Sequence, residues 1–202
     1  RRPPRSTLFP YTTLFRSFAP EKSMQFDERQ FRKFLSEQDI SDMLDELAAA
    51  INKDYGMNDK VLLVGVLKGA IVVTADLVRR LHSDVDVDFV RCTSHGKGLG
   101  QAGTIAILRD ISVDVRDRHV IIMEEIIDSG RTLKFLHDRI KAANPLSLKI
   151  ATLLDKRSKR LVPIHADYVG KVVDDQFLIG YGLDLEERCR NLPEIYALKY
   201  PN

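Results

Sequence analysis

The sequence has few cysteines and no strong excess of charge, and both shortages exclude classes of protein. Among its 202 residues are 2 cysteines, Cys92 and Cys189, which do not have the spacing of a metal-binding or redox motif. We therefore expect reduced thiols in a cytoplasmic protein. Lysine and arginine total 31 against 29 aspartates and glutamates, which gives a formal charge of +2. So small a charge attracts neither nucleic acid nor a membrane surface, and we expect neither as a partner.

The sequence also lacks a membrane-spanning run and a Walker-type motif, and it has no dinucleotide-binding motif after its first predicted strand. The longest apolar stretch, residues 61–78, is interrupted by Lys68 and Asp76, so it fails as a transmembrane helix. No GxxxxGK[ST] motif occurs, which argues against a Walker-type nucleoside triphosphatase. No GxGxxG motif follows the first predicted strand of the sheet, which weakens a dinucleotide-binding interpretation. Any phosphate site must therefore use another local motif.

The first twenty residues differ from the rest of the chain. Residues 7–17, TLFPYTTLFRS, have neither helical nor strand periodicity, and they resemble the translation of a sequencing-adapter oligonucleotide. We expect residues 1–20 to be a non-native or disordered leader and residues 21–202 to form a single domain. An arginine-rich organellar presequence is the alternative for the leader.

Beyond residue 20, helical and strand patterns alternate. Apolar residues at helical spacing predict a helix over residues 40–52, with Ser41 as its cap and Gly56 beyond its end. Further helices are predicted at 69–82 and 131–144, and strands at 61–67, 85–94, 103–110, 119–125, 148–156 and 167–173. This order predicts an α/β fold with a mostly parallel central sheet flanked by helices.

The most informative stretch is VIIMEEIIDSGRTL, residues 120–133. A buried strand ends on two glutamates, and a glycine-containing turn then leads into a helix. Backbone N–H groups in such a turn, with the helix N-terminus behind them, form a phosphate site. The hydroxyls of Ser129 and Thr132 add donors, and Gly130 permits close approach. Carboxylates accept hydrogen bonds from the vicinal hydroxyls of a ribose, so the pattern predicts a sugar-phosphate site.

Two features of this stretch leave alternatives open. Glu124 and Glu125 are neighbours on an extended chain, so we expect their side chains to point to opposite faces and only one to face a substrate directly. The competing interpretation is that Asp128 and Ser129 cap the helix while both glutamates are solvated.

Taken as a whole, residues 120–133 resemble the phosphoribosyl-pyrophosphate signature of the type I phosphoribosyltransferases. The acid at Asp128 is similar to the 6-oxopurine branch of that family, whose members act on hypoxanthine and guanine. Other stretches agree in order, and these are VGVLKGA (64–70), VDFVRCTSHG (87–96), ATLLDKRS (151–158), DYVGKVVDDQFLIGYGLD (167–184) and ERCRNLPEIYAL (187–198). The resemblance runs from about residue 26 to the C-terminus. It implies the family fold, with a small hood formed by N- and C-terminal segments.

The resemblance implies a purine-salvage reaction. A 6-oxopurine base displaces pyrophosphate from 5-phosphoribosyl 1-diphosphate (PRPP), with Mg²⁺ as cofactor, and gives IMP or GMP. Glu124 and Glu125 would hold the ribose hydroxyls, and Asp128 would act as a general base beside the purine. The 5′-phosphate would be bound by the turn, which comprises Asp128, Ser129, Gly130, Arg131 and Thr132. Relatives form dimers or tetramers, so the resemblance implies a homodimer or homotetramer.

The same resemblance assigns roles to residues outside the central stretch. Leu67, Lys68 and Gly69 would grip pyrophosphate, often through a cis peptide between the first two, and Arg190 would also contact it. Asp184 would help to bind the base and, with Glu124, the metal ion. For Asp184 and Arg190 the family likeness is almost the whole basis of the assignment.

Three further residues would recognise the base. Lys156 would donate to the 6-oxo oxygen, which discriminates against the amino group of adenine. Phe177 would stack on the purine face, and Leu178 would offer main-chain groups to its edge. The alternatives are a surface lysine at Lys156 and ordinary core packing at Phe177.

Residues 93–103, TSHGKGLGQAG, resemble the family's mobile loop that closes over the site. Ser94 and His95 stand where that loop usually carries a Ser-Tyr pair, and a histidine there could make closure depend on pH near neutrality. The family also more often has Asp at position 125 and Thr at position 129. Two other functions stay open: a phosphoribosyltransferase for xanthine or another base, and a non-catalytic RNA-binding regulator on the same fold.

Overall fold

The computed structural model describes residues 30–95 and 104–199. Within these ranges the elements are β1 (Phe31–Leu35), α1 (Glu37–Asp54), β2 (Lys60–Leu67), α2 (Ile71–Val78), β3 (Asp84–His95), β4 (Thr104–Arg109), β5 (His119–Ile127), α3 (Arg131–Ala142), β6 (Ser147–Asp155), β7 (Tyr168–Val172), β8 (Leu178–Ile179) and β9 (Ile195–Leu198), with a short 3₁₀ turn at Arg157–Lys159.

Six strands form the central sheet in the order β4-β3-β2-β5-β6-β7. All neighbouring strands pair in parallel except β3 and β4, which are antiparallel. In the two central strands, residues 61–64 and 120–123 are buried without interruption, as expected for a parallel sheet covered on both faces. The predicted α/β fold is confirmed.

The helices divide between the two faces of this sheet. Helices α1 and α2 pack on one face, where Ile121 and Met123 of β5 are buried. Helix α3 packs on the other, against Val120 and Ile122. Because successive strand residues point to opposite faces, this alternation sets the direction of the next two residues of β5, which are the two glutamates.

A separate three-stranded antiparallel sheet has the order β1-β9-β8. It joins an N-terminal strand to two C-terminal strands, so the predicted hood is confirmed. The sequence patterns predicted none of these three strands. With lengths of two to five residues, they are too short to show a clear period.

The structure corrects two helix boundaries. Helix α1 is capped by Ser36, whose side chain forms a capping box with Asp39, so the prediction of Ser41 as the cap was wrong. The first turn of α1 is polar, so the apolar periodicity placed the start of the helix at residue 40, whereas the helix begins at Glu37. Helix α2 begins at Ile71 and ends at Val78, and is shorter than the predicted 69–82. In the described parts of the chain, no helix has both the length and the apolar character needed to cross a bilayer.

Candidate active site

The site is assembled at the carboxyl ends of β2, β5 and β6, which lie side by side in parallel. Parallel strands that end at one edge of a sheet place their following loops together. Ile127 at the end of β5 pairs with Asp155 at the end of β6. The amide of Lys156 donates to the carbonyl oxygen of Ile127 at 3.0 Å. The predicted phosphate turn therefore starts directly beside the predicted base-binding lysine.

The turn after β5 borders an open cavity of about 140 Å³, lined by Glu124 and residues 126–133. Helix α3 has Gly130 as its N-cap, with φ of 78°, and a glycine offers no capping side chain. The amide of Lys134 bonds to the Gly130 carbonyl at 2.8 Å, so the amides before it lie at the open end of the helix. The Ser129 hydroxyl lies 3.4 Å from the Arg131 amide, too far for a strong cap. Helix α3 therefore has no strong side-chain cap, and the capping interpretation of Asp128 and Ser129 is wrong.

Glu124 and Glu125 lie on different faces of β5, as predicted. Glu124 lines the cavity of the turn, whereas the carboxylate of Glu125 abuts Gly69. Both side chains are partly buried, so the interpretation of solvated glutamates is wrong. Desolvation, and then the negative charge of Glu125, raise the pKa of Glu124 well above its usual value. Desolvation also raises the pKa of Glu125, against the opposing effects of its hydrogen bonds and of Arg190. This pair of acids favours a hydroxyl donor or a cation beside it.

The loop after β2 approaches Glu125 with its backbone alone. The Leu67–Lys68 peptide bond is cis, as the resemblance implied. A Cβ atom on Gly69 would lie 1.7 Å from Oε1 of Glu125, and a Cβ atom on Gly182 would lie 2.2 Å from the Gly69 carbonyl oxygen. Gly69 is therefore held between the strand end and the segment near Gly182, with no room for a side chain.

An ion cluster lies beside that loop. Lys68 Nζ lies 2.7 Å from Oε2 of Glu187, and Arg190 Nη2 lies 3.2 Å from the same oxygen. Arg190 also pairs with Asp184 at 3.0 Å and donates to the Gly182 carbonyl at 2.8 Å. The structure thus brings together Lys68, Asp184 and Arg190. In the sequence, Lys68 and Arg190 are 122 residues apart. Sequence reasoning missed Glu187.

On the base side, two alternative interpretations are wrong. The Lys156 residue is only 9% exposed, so it is not a surface lysine, and its Nζ lies 3.9 Å from Oδ1 of Asp175. Phe177 is 41% exposed and is therefore not part of the core. Leu178 is buried in β8, paired with Ala197. Asp175 was also missed by sequence reasoning, because an acid in a DD pair before Gln176 gives no signal of its own.

The predicted mobile loop falls largely outside the described residues, which omit 96–103. Ser94 and His95 end strand β3, where their backbones pair with Ile105 and Thr104 of β4.

Cys92 and Cys189 are both free thiols.

The carboxylates of the site fit a magnesium ion that has only a few protein ligands. Among the described residues, no group of three or more acidic, histidine or cysteine side chains is arranged as a metal cage. Mg²⁺ usually takes one or two carboxylates and completes its shell with phosphate oxygens and water. Oε2 of Glu125 is buried without a hydrogen-bond partner in the described chain, and Glu124 lines the neighbouring cavity. The Asp184 carboxylate, by contrast, already has two partners. It pairs with Arg190 and accepts a hydrogen bond from the Glu187 amide at 2.9 Å.

The fold and the site define a phosphoribosyltransferase. The family model described as "Phosphoribosyl transferase domain" matches residues 33–186, and the chain belongs to this family.

Curated relatives and solved structures refine the comparison. The chain is 40% identical over 171 residues to the hypoxanthine-guanine phosphoribosyltransferase of Aquifex aeolicus, a match that covers 85% of this chain and 96% of that one. It is 42% identical over 173 residues to the enzyme of the same name from Streptococcus pneumoniae strain R6, again covering 85% and 96%. A crystal structure of a hypoxanthine phosphoribosyltransferase from Staphylococcus aureus superposes with a TM-score of 0.81 at 36% identity, covering 87% of this chain and 97% of that one. The predicted resemblance is confirmed.

Proposed function

We propose that the chain is a purine-salvage enzyme that transfers the 5-phosphoribosyl group of PRPP to hypoxanthine or guanine. The products are IMP or GMP and pyrophosphate. The observation that carries this proposal is the meeting of three sites at one sheet edge: the open turn 128–132, the paired acids of β5, and the buried Lys156 at the end of β6. Together they match a sugar phosphate and a base bound side by side.

The sugar phosphate is held by complementary groups. The 5′-phosphate accepts from the amides of the turn and from the Ser129 and Thr132 hydroxyls, with Arg131 at the start of the helix behind them. Glu124 and Glu125 accept hydrogen bonds from the ribose hydroxyls. As the bond from C1′ to pyrophosphate breaks, positive charge develops on the ribose, and nearby carboxylates stabilise it.

The base is oriented by the opposite wall of the site. Lys156 donates to the 6-oxo oxygen, Phe177 stacks on the ring and the Leu178 backbone meets its edge. Asp128, which is exposed at the mouth of the turn, takes a proton from the purine as N9 bonds to C1′. A purine that carries an amino group at position 6 offers Lys156 no acceptor and is rejected.

The leaving pyrophosphate is bound by the loop after β2 and the ion cluster. The backbone amides of the loop 67–69 donate to it, and Lys68 and Arg190 supply positive charge. Mg²⁺ would be held by Glu124 and Asp184 and would supply positive charge beside the leaving pyrophosphate.

The proposal also covers location, assembly, partners and domain organisation. The enzyme acts in the cytoplasm as a homodimer or homotetramer, without nucleic acid or membrane partners. We also propose that residues 21–202 belong to a single phosphoribosyltransferase domain and that residues 1–20 are a non-native or disordered leader. Balanced charge and two free thiols support this setting.

A spectrophotometric assay tests the function. The protein is mixed with PRPP, Mg²⁺ and one of four bases: hypoxanthine, guanine, xanthine or adenine. We expect turnover of hypoxanthine and guanine, dependence on Mg²⁺, and no turnover of adenine. Preference for xanthine would replace the proposed substrate, and inactivity with all four bases would overturn the enzymatic function.

A further inference from the structure

A buried ion pair lies directly behind the phosphate turn. Asp155, the last residue of β6, is 3% exposed and pairs with Arg160, whose side chain is 13% exposed. A carboxylate at this depth is costly unless it is paired, so the position of the Arg160 guanidinium is strongly fixed. Arg157 also reaches Asp155, with Nε 3.3 Å from Oδ2, but its side chain is 66% exposed.

The fixed guanidinium also bonds to the turn. Nη1 of Arg160 donates to the carbonyl oxygen of Asp128 at 3.1 Å. The next residue, Leu161, donates its amide to the carbonyl oxygen of Ser129 at 3.0 Å. The two consecutive peptide carbonyls of the turn are therefore both held by residues 160 and 161.

Holding those carbonyls sets the direction of the amides on their other side. A planar trans peptide points its C=O and N–H groups in opposite directions. The N–H groups of Ser129 and Gly130 must therefore point away from residues 160 and 161. The stem of Arg160 also fills the space beside Gly130, since a Cβ atom there would lie 2.9 Å from Arg160 Cδ. The turn is fixed in both orientation and position.

We propose that Arg160, anchored by Asp155, is a positioning residue that aims the amides of the phosphate turn and holds the backbone of Asp128. This deepens the proposed function and rests on it for the identity of the substrate. Because Arg160 acts on the turn, its loss weakens binding of the sugar phosphate and leaves binding of the free base nearly unchanged.

Four variants separate this role from a general loss of structure. Arg160→Lys keeps a cation for Asp155 but cannot bridge to Asp128 in the same way, and Arg160→Met removes the charge. Asp155→Leu combined with Arg160→Met replaces the whole pair with apolar groups, a change that buried ion pairs often tolerate without loss of stability. Arg157→Met is the matched control, since it removes the other, exposed partner of Asp155.

The measurements are the dissociation constant for ribose 5-phosphate by calorimetry, the KM values for PRPP and hypoxanthine, and thermal unfolding. We expect Arg160→Met and the double variant to weaken ribose 5-phosphate binding and raise the KM for PRPP about tenfold. The KM for hypoxanthine should stay within about twofold, Arg160→Lys should be intermediate, and Arg157→Met should match the wild type.

Two results overturn the inference or separate it from the proposed function. A folded double variant with wild-type affinity for ribose 5-phosphate would show that Arg160 positions nothing. If the wild type binds ribose 5-phosphate, the variants lose that binding, and no base is turned over, the positioning role stands and the proposed reaction fails.

Discussion

Gly69 and Glu125 are in such close contact that a methyl group cannot be inserted between them. A Cβ atom at position 69 would lie 1.7 Å from Oε1 of the glutamate, and 2.1 Å from its carboxyl carbon. The backbone of the loop after β2 therefore rests directly on one of the two acids at the end of β5.

We expect Gly69→Ala to displace this acid or the loop. Overpacking of this kind costs about 1–3 kcal/mol of unfolding free energy, and the KM for PRPP should rise as the site is distorted. Gly56→Ala is the control, because a Cβ atom there meets only Asp59 Oδ2 at an ordinary 3.7 Å. Denaturant unfolding and initial rates check both changes. Equal behaviour of the two variants would argue against the contact.

Asp128→Asn should lower turnover far more than it lowers affinity for the sugar phosphate. The substitution removes the proposed base but leaves the turn amides in place, so kcat should fall by about 100-fold or more while the KM for PRPP changes little. Steady-state rates with hypoxanthine at saturating PRPP, together with ribose 5-phosphate calorimetry, measure the two effects. Unchanged turnover would refute the role of Asp128.

Lys156→Met should impair recognition of the base. Loss of a charged donor to the 6-oxo oxygen corresponds to a rise of about 10- to 100-fold in the KM for hypoxanthine. Lys159→Met is a matched control, because Lys159 pairs with the same Asp175 at 2.6 Å and its side chain is 48% exposed. If both variants raised this KM equally, the effect would belong to Asp175 and not to Lys156.

Glu187→Gln should strengthen pyrophosphate binding. Glu187 now engages Lys68 and Arg190, the two cations assigned to pyrophosphate, and these cations hold its pKa below the usual value. An exposed pair of this kind is weak, so we expect only a two- to fivefold fall, roughly, in the KM for pyrophosphate in the reverse reaction. Glu186→Gln, at the preceding position, is the control. A higher KM in Glu187→Gln would show that the carboxylate helps to hold the cations in place.

Asp88→Asn should destabilise the protein in a pH-dependent way. Burial alone would raise the pKa of Asp88, but hydrogen bonds from Ser112, Phe89 and Val113 lower it below its usual value. A lowered pKa adds stability above the unfolded-state value of about 3.9, and that stability disappears as pH falls through the folded-state value.

The variant should therefore lose about 1–3 kcal/mol at pH 7 and progressively less below about pH 4. Urea unfolding across this range measures the difference. Asp86→Asn is the control on the same strand, since Asp86 pairs with Arg118 and its side chain is 56% exposed. A pH-independent loss in Asp88→Asn would mean that its charge contributes nothing.

The sequence by itself determined the strands of the central sheet and the candidate phosphate turn, because both depend on local patterns. Buried parallel strands are almost wholly apolar, and the residues of the phosphate turn follow one another from 128 to 132 with their acids just before them. The local pattern of fourteen residues, 120–133, was therefore enough to predict a sugar-phosphate site.

Only the tertiary structure decided which distant groups meet. Glu187 and Lys68 form an ion pair although they are 119 residues apart in sequence. No local sequence pattern indicates such a pair. Arg160 lies close in sequence to Asp155, but its bond to the Asp128 carbonyl depends on β5 and β6 being neighbours. The raised pKa of Glu124 likewise depends on how much water the folded chain excludes, which is a property of packing in three dimensions.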